Sequence, residues 1–289
     1  MNQITDTIEL MNGSNVLKLE LSPNSAVIID SPAMIHMDGK LVVEPIIMSK
    51  SNNFFSKLGS SITRSLTGER VYNSQIANKT DEKLKISIGP QICGGIIKIN
   101  ILPGEVWKFI PGSFIACTSN VLVSGNINIF KNLKSIFSSG TIVYTEISLI
   151  NGDSGTVWIN SFGGIEKHEV QLGEKSEKLY INDGCFVGML SNKENMDYWD
   201  ECIKVGSASG FFSGLFTDTA ILLKVEDKKL SAKNNNMKCI VYTQSINKIN
   251  FDKYITSIVI QSQHGGNNKE KYEKYEAKYN MLTKNDTTI

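Results

Sequence analysis

The feature that most constrains this chain is a stretch that occurs three times. SIFSSGTIVY at residues 135–144 has a relative upstream, RSLTGERVY at 64–72, and another downstream, SGLFTDTAILL at 213–223. In each, a turn carrying Gly or Ser and bulky apolar residues runs into β-branched, aromatic and leucine residues, the pattern of a loop feeding a strand. Three copies mean three structural repeats, and repeated units bury a continuous core against one another.

The surroundings of the stretch repeat as well. Leu17, Leu19 and Leu21 alternate with Lys18 and Glu20, and Ile97, Ile99 and Ile101 alternate with Lys98 and Asn100. Both patterns predict half-buried strands. Pro23 stands as far ahead of Met34 as Pro103 does ahead of Phe114, so the first two repeats match in spacing and in residue type. Gly94-Gly95 opens the second repeat and Gly163-Gly164 the third. A period of about 70 residues fits one small antiparallel sheet per repeat rather than a helical solenoid. Asn151-Gly152-Asp153-Ser154-Gly155 predicts a hairpin loop.

The expected fold is therefore all-β, with antiparallel repeats over about residues 13–93, 94–162 and 163–262 forming one domain, 1–262. Phe130, Leu133, Ile136 and Phe137 suggest a short helix within the second repeat. Residues 263–289 read as a linker and a C-terminal helical tail, with Tyr272, Tyr275, Tyr279 and Leu282 on one stripe of a helix over 269–282.

Composition narrows the function classes. A chain 41% hydrophobic and 20% charged should be globular. Its net charge is +1 and Arg64 and Arg70 are its only arginines, which argues against a DNA or RNA partner. The five cysteines are scattered and lack a C-x-x-C pair, so the expected compartment is the cytoplasm or another reducing one. The first residues lack a basic segment followed by an apolar run, and no stretch reaches the roughly 18 apolar residues of a spanning helix, so secretion and membrane insertion are not expected. Peripheral membrane contact stays open.

Residues able to carry catalysis do not converge in the sequence. His36, His168 and His264 lie far apart in unrelated contexts, whereas a metal needs several ligands brought together. Cys185 sits where the other repeats have Ser113 and Ala33, the place of a small turn residue. The glycine pairs precede no helix and lack the Lys-Ser/Thr of a phosphate loop, so they read as crossings between β units. No catalytic residue, cofactor or metal is expected. The candidate interaction residues are Phe54, Phe55, Phe211, Phe212, Leu215 and Phe216 on Gly/Ser-bearing loops, and Tyr272, Tyr275 and Tyr279 on the tail. The loop aromatics either plug the open ends of the β units or face a partner or membrane interface.

LKLEL followed by Pro23, the DSPAM turn at 30–34, the Gly-bearing aromatic loop before a strand and SFGGIE at 161–166 together resemble the altered-inheritance-of-mitochondria (mitochondrial biogenesis protein-like) family over about residues 10–250. The resemblance implies a β fold similar to that of the trp RNA-binding attenuation protein, with three units about a pseudo-threefold axis, and it carries over no catalytic residue. A fungal member of that family is associated with inner-membrane organisation, whereas the sequence here shows no Arg-rich transit peptide. The function expected is that of a non-enzymatic structural or assembly protein acting through protein-protein contacts, with copies of itself, at a membrane periphery or within a large complex such as a virion. The alternative is a small-molecule or nucleic-acid binding module, which rests on fold analogy.

Overall fold

The computed structural model describes residues 4–11, 14–46, 73–90, 93–128, 142–171, 179–193, 196–197, 203–207, 221–225, 238–246 and 255. The chain divides into two compact units, Met1–Asn247 and Lys248–Ile289. Of the second, Ile255 alone is described, so the expected tail helix lies outside the described residues, as does the short helix expected before residue 142.

The first unit is all-β. After an N-terminal strand β1 (Ile4–Met11), the first repeat supplies β2 (Ser14–Leu21), β3 (Ala26–Asp30), a 3-10 turn (Ser31–Ala33), β4 (Met34–Met37), β5 (Val42–Ile46), β6 (Asn73–Ala77) and β7 (Leu84–Ile88). The second supplies β8 (Ile96–Ile101), β9 (Val106–Phe109), β10 (Phe114–Thr118), β11 (Val121–Asn128), β12 (Ile142–Leu149) and β13 (Gly155–Asn160). The third supplies β14 (Ile165–Gln171), β15 (Leu179–Asn182), a 3-10 turn (Asp183–Cys185), β16 (Phe186–Lys193), a two-residue β17 (Met196–Asp197), β18 (Ile203–Ser207), β19 (Ile221–Val225) and β20 (Lys238–Gln244).

Setting β1 and β17 aside, the pairing inside the three repeats is identical. The first strand pairs with the sixth, the second with the fifth, the third with the sixth and the fourth with the fifth, all antiparallel. Each third strand carries its register shift at the same place, between Met34 and His36, Phe114 and Ala116, and Phe186 and Gly188. A bulge kept at one position in three repeats is a built feature that bends the strand.

Repeats join by pairing the second strand of one with the third strand of the next, β3 with β10 and β9 with β16. This produces the six-stranded sheet β5-β6-β3-β10-β13-β8 and the sheet β11-β12-β9-β16-β20-β14, to which β17 adds beside β16. The remaining strands form β1-β2-β7-β4 and β15-β19-β18. The result is three antiparallel units related by a pseudo-threefold axis.

The alternating residues behave as their spacing predicts. Leu17, Leu19 and Leu21 are all but fully buried, and Ile99 and Ile101 turn inward from β8. Burying such a side chain contributes about 1.5–3 kcal/mol. One core cluster gathers Leu17, Leu19, Leu21, Ile29, Ile86 and Trp158; the other is built around Trp107, Phe109, Val157, Met189 and Val241. Trp107 stacks on Phe109 with ring centroids 6.0 Å apart. The first strand of the chain is held to the second repeat by one carboxylate: Asp6 pairs with Lys98 and accepts a hydrogen bond from Trp158 Nε1 at 3.4 Å.

Candidate functional site

Antiparallel ladders fix which parts of a repeat share an end of the body. Asp30 lies opposite Asn73, Asn73 opposite Ile46, Met34 opposite Ile88, and Ile88 opposite Leu17. The start of the first strand, the turn between the second and third, and the opening between the fourth and fifth therefore all fall at one end.

That end is knitted by the repeat junctions. Asn15 N donates to Gly94 O at 3.0 Å, and the equivalent Gly95 N donates to Gly163 O at 2.7 Å. In the third repeat Gly164 N donates to Ser245 Oγ at 2.8 Å. Ser161 N donates to Gly95 O and Ser245 N to Gly164 O, again as equivalents. A Cβ on Gly94 would sit 1.7 Å from Ser161 O, so the glycine is required by a close approach of backbone to backbone. A strand, not a helix, follows each glycine pair.

At the opposite end, short turns close the first two repeats. Asn78 Nδ2 donates to Leu21 O at 2.9 Å and to Glu82 O at 2.7 Å. Asn120 Nδ2 donates to Asn151 O at 3.2 Å and to Ser154 O at 2.8 Å. Side-chain amides thus satisfy turn carbonyls across neighbouring loops.

The strand ends that flank the thrice-repeated stretch lie at the junction end. In sequence the stretch falls in the connections between the fourth and fifth strands, residues 47–72, 129–141 and 208–220, and in the second and third repeats runs on into the fifth strand; the flanking pairs are Ile46 with Asn73, Asn128 with Ile142, and Ser207 with Ile221. Phe54, Phe55, Phe211, Phe212, Leu215 and Phe216 lie within these connections and outside the described residues, as do Tyr272, Tyr275 and Tyr279. What the structure brings together are the strands on which the three connections are mounted.

The histidines stay apart. His36 is exposed on β4, and His168 lies on β14, where Nε2 meets Thr243 Oγ1 at 2.8 Å and Glu166 Oε2 at 3.9 Å. The two strands belong to different sheets, and His264 is outside the described residues. Cys185 closes the second 3-10 turn, where Ala33 closes the first. Among the described residues no group of three or more His, Cys, Asp or Glu could hold a metal ion, and no helix is long and apolar enough to cross a membrane.

Two electrostatic features escaped the sequence reading. Lys108 is buried on β9 with its ammonium 4.8 Å from the centroid of the Tyr144 ring, a cation-π contact. A lysine inside the run VWKF was its only signal. On the outer strand β14, Glu169 accepts hydrogen bonds from Lys167 at 2.6 Å and Lys238 at 3.0 Å, and these hold its carboxyl below the usual carboxylate range. A charged strand of this kind blunts a sheet edge against stray pairing.

Comparison with known proteins agrees with this architecture. No curated protein matches the chain. A Streptococcus pyogenes protein solved by X-ray crystallography is similar in structure, with a TM-score of 0.56 and 17% identity, covering 89% of this chain and 100% of its own. That likeness concerns the fold alone. The sequence model of one family matches residues 8–227, from β1 through β19 and past the third copy of the repeated stretch. The chain belongs to the Mitochondrial biogenesis AIM24 family.

Proposed function

We propose that this protein is a non-enzymatic structural or assembly component that works through protein-protein contacts. The observation that supports this reading is the mounting of three connections that carry bulky apolar residues on equivalent strand pairs at one end of the repeats, while Asn-bridged turns close the first two repeats at the other. Three copies of one element around an axis give a multivalent surface, which strengthens attachment to a partner without requiring any single strong contact. Phe54, Phe55, Phe211, Phe212, Leu215 and Phe216 would be its apolar anchors, and Tyr272, Tyr275 and Tyr279 a further one on the tail. A reducing compartment and contact with a membrane periphery or a larger assembly, in keeping with a family named for mitochondrial biogenesis, belong to the same reading.

The test is the native mass and co-purifying material of three chains: full length, ended at Gly266, and with the six loop residues changed to serine. A concentration-dependent assembly in the full chain that is lost in either variant is the expected result. Monomers throughout, with nothing retained on the full chain, would overturn the reading. A salt-dependent shift on RNA or DNA would replace it with a nucleic-acid module.

A further inference from the structure

The turns that close the first two repeats are each held by one side-chain amide, and the second turn contains a further amide that takes no part. In residues 78–83, buried Asn78 uses both halves of its amide. Its Nδ2 donates to Leu21 O and Glu82 O, and its Oδ1 accepts from Thr80 N at 3.0 Å and Thr80 Oγ1 at 2.8 Å. For residues 150–154 the same work falls to Asn120, whose Nδ2 donates to Asn151 O and Ser154 O and whose Oδ1 accepts from Thr118 Oγ1 at 2.7 Å. Asn151 is thus held through its main-chain carbonyl. Its side chain is exposed and, among the described residues, has no hydrogen bond.

The next residue leaves that side chain approachable. Gly152 has φ +86°, and a Cβ added to it would meet Asn120 Nδ2 alone, at 3.4 Å. Ile150 N donates to Asn120 O at 2.8 Å, whereas Gly152 N donates to no described group, so the main-chain nitrogen beside the Asn151 amide is not tied up in the turn. An unhindered nitrogen next to an uncommitted carboxamide is the arrangement in which asparagine cyclises. We propose that Asn151 is a self-modifying site. Gly152 N attacks Asn151 Cγ and gives up its proton; the new C–N bond replaces the bond from Cγ to Nδ2, and the amide nitrogen leaves with that proton as ammonia. Water then adds to one of the two carbonyls of the succinimide and opens the ring. Attack at Cγ gives aspartate, and attack at the former main-chain carbonyl gives isoaspartate. No oxidant or reductant is needed.

Isoaspartate changes the turn as well as its charge. The main chain is rerouted through the former side chain and gains one carbon, and the Asn151 carbonyl, one of the two anchors of Asn120, becomes a free carboxylate beside exposed Asp153. The loop has little slack to absorb this, since a Cβ on Gly155 at its exit would lie 2.4 Å from Val121 Cγ2 and 2.9 Å from Leu149 Cδ1. It also joins β12 and β13, which belong to different sheets. Two amides report on the clamp: Ile150 N, bonded to Asn120 O, and Thr156 N, bonded to Thr118 Oγ1 at 2.9 Å. The partner such a loop fits is a repair enzyme that methylates isoaspartyl carboxylates, the carboxylate oxygen taking the methyl group from a sulfonium donor that departs as a thioether.

Peptide mapping of the full chain after incubation at neutral and mildly alkaline pH tests the site, with fragmentation that tells isoaspartate from aspartate. Asn151 should convert, faster at the higher pH because the attacking nitrogen must lose its proton, and isoaspartate should be the main product. Asn78 and Asn120 should keep their amides. Gly152→Ala should slow the conversion severalfold. A free peptide of residues 146–158 is the control: if it converts while Asn151 of the folded chain does not, the fold protects the loop and the proposal is overturned. Hydrogen exchange reads the structural consequence. Ile150 and Thr156 should lose protection in the aged chain and keep it in Asn151→Asp, which adds the charge without the extra main-chain carbon. Unchanged protection in the aged chain would overturn the loss of the Asn120 clamp. The loop lies at the end opposite the three connections, so these results stand or fall separately from the assembly reading.

Discussion

At the scale of single residues, two glycines of the same composition do different work. Gly94 is held by contact, since its missing Cβ leaves room for Ser161 O. Gly104 is held by backbone conformation, with φ +79° and nothing within 4 Å of an added Cβ. Gly94→Ala should therefore cost about 3 kcal/mol or more, because backbone must move away from backbone. Gly104→Ala should cost about 1–2 kcal/mol, the penalty of a left-handed residue. Denaturant midpoints of the two variants check the order. Tyr242 offers a pH test: burial first, then the neighbouring charge of Glu169, raises its pKa above the ordinary tyrosine value. A raised folded-state pKa means a stabilising contribution that is complete below the unfolded value, near 10, and lost as pH rises through the folded one. Tyr242→Phe should leave stability at neutral pH nearly unchanged and flatten the alkaline fall, read from thermal melts between neutral and strongly alkaline pH. Melts that fall in parallel would show that Tyr242 ionises without penalty.

At the scale of elements, β1 depends on Asp6. Its inward face is Ile4, Asp6 and Ile8, with the carboxylate between two apolar residues that pack on the core cluster of Leu17, Leu19, Leu21 and Trp158. Asp6→Ala would leave the buried Trp158 Nε1 without this acceptor and remove the pairing with Lys98, at a cost of about 1–3 kcal/mol. Indole fluorescence and the unfolding midpoint should shift together; a change in neither would mean that β1 is held by its ladder alone. The same residue shows why β1 was not legible as a strand: an acid in the middle of the inward face interrupts the alternation, and its partners lie far along the chain. β2 and β8 were legible because Leu17, Leu19, Leu21, Ile99 and Ile101 need no distant partner to declare their face. The turn at Asp30–Ala33 was visible from Pro32, but β4 behind it was not, since Met34, Ile35, His36 and Met37 lack a period. Repeat order and junction glycines were readable in type and spacing. The candidate aromatics could be assigned to repeated loops, and the ladders at Ile46, Asn128 and Ser207 supply what spacing could not, the end of the body from which those loops start.

At the scale of the whole molecule, stability should follow how many strands a sheet unites. β10 lies between β3 and β13, and β16 between β9 and β20, each inside a sheet that ties two repeats together. Among the described residues β19 lies between β15 and β18 in a sheet of three strands drawn from one repeat. Opening that small sheet breaks fewer ladders and exposes less core than opening either large one, so its amides should exchange through a partial opening of lower free energy. Native-state hydrogen exchange on the full chain is expected to show β15, β18 and β19 exchanging well before β10 and β16, with denaturant dependence too shallow for global unfolding. Exchange of β19 together with β10 in the unmodified chain would mean that the third repeat is already as firmly joined as the other two. The order of opening would then be set by the fold as a whole.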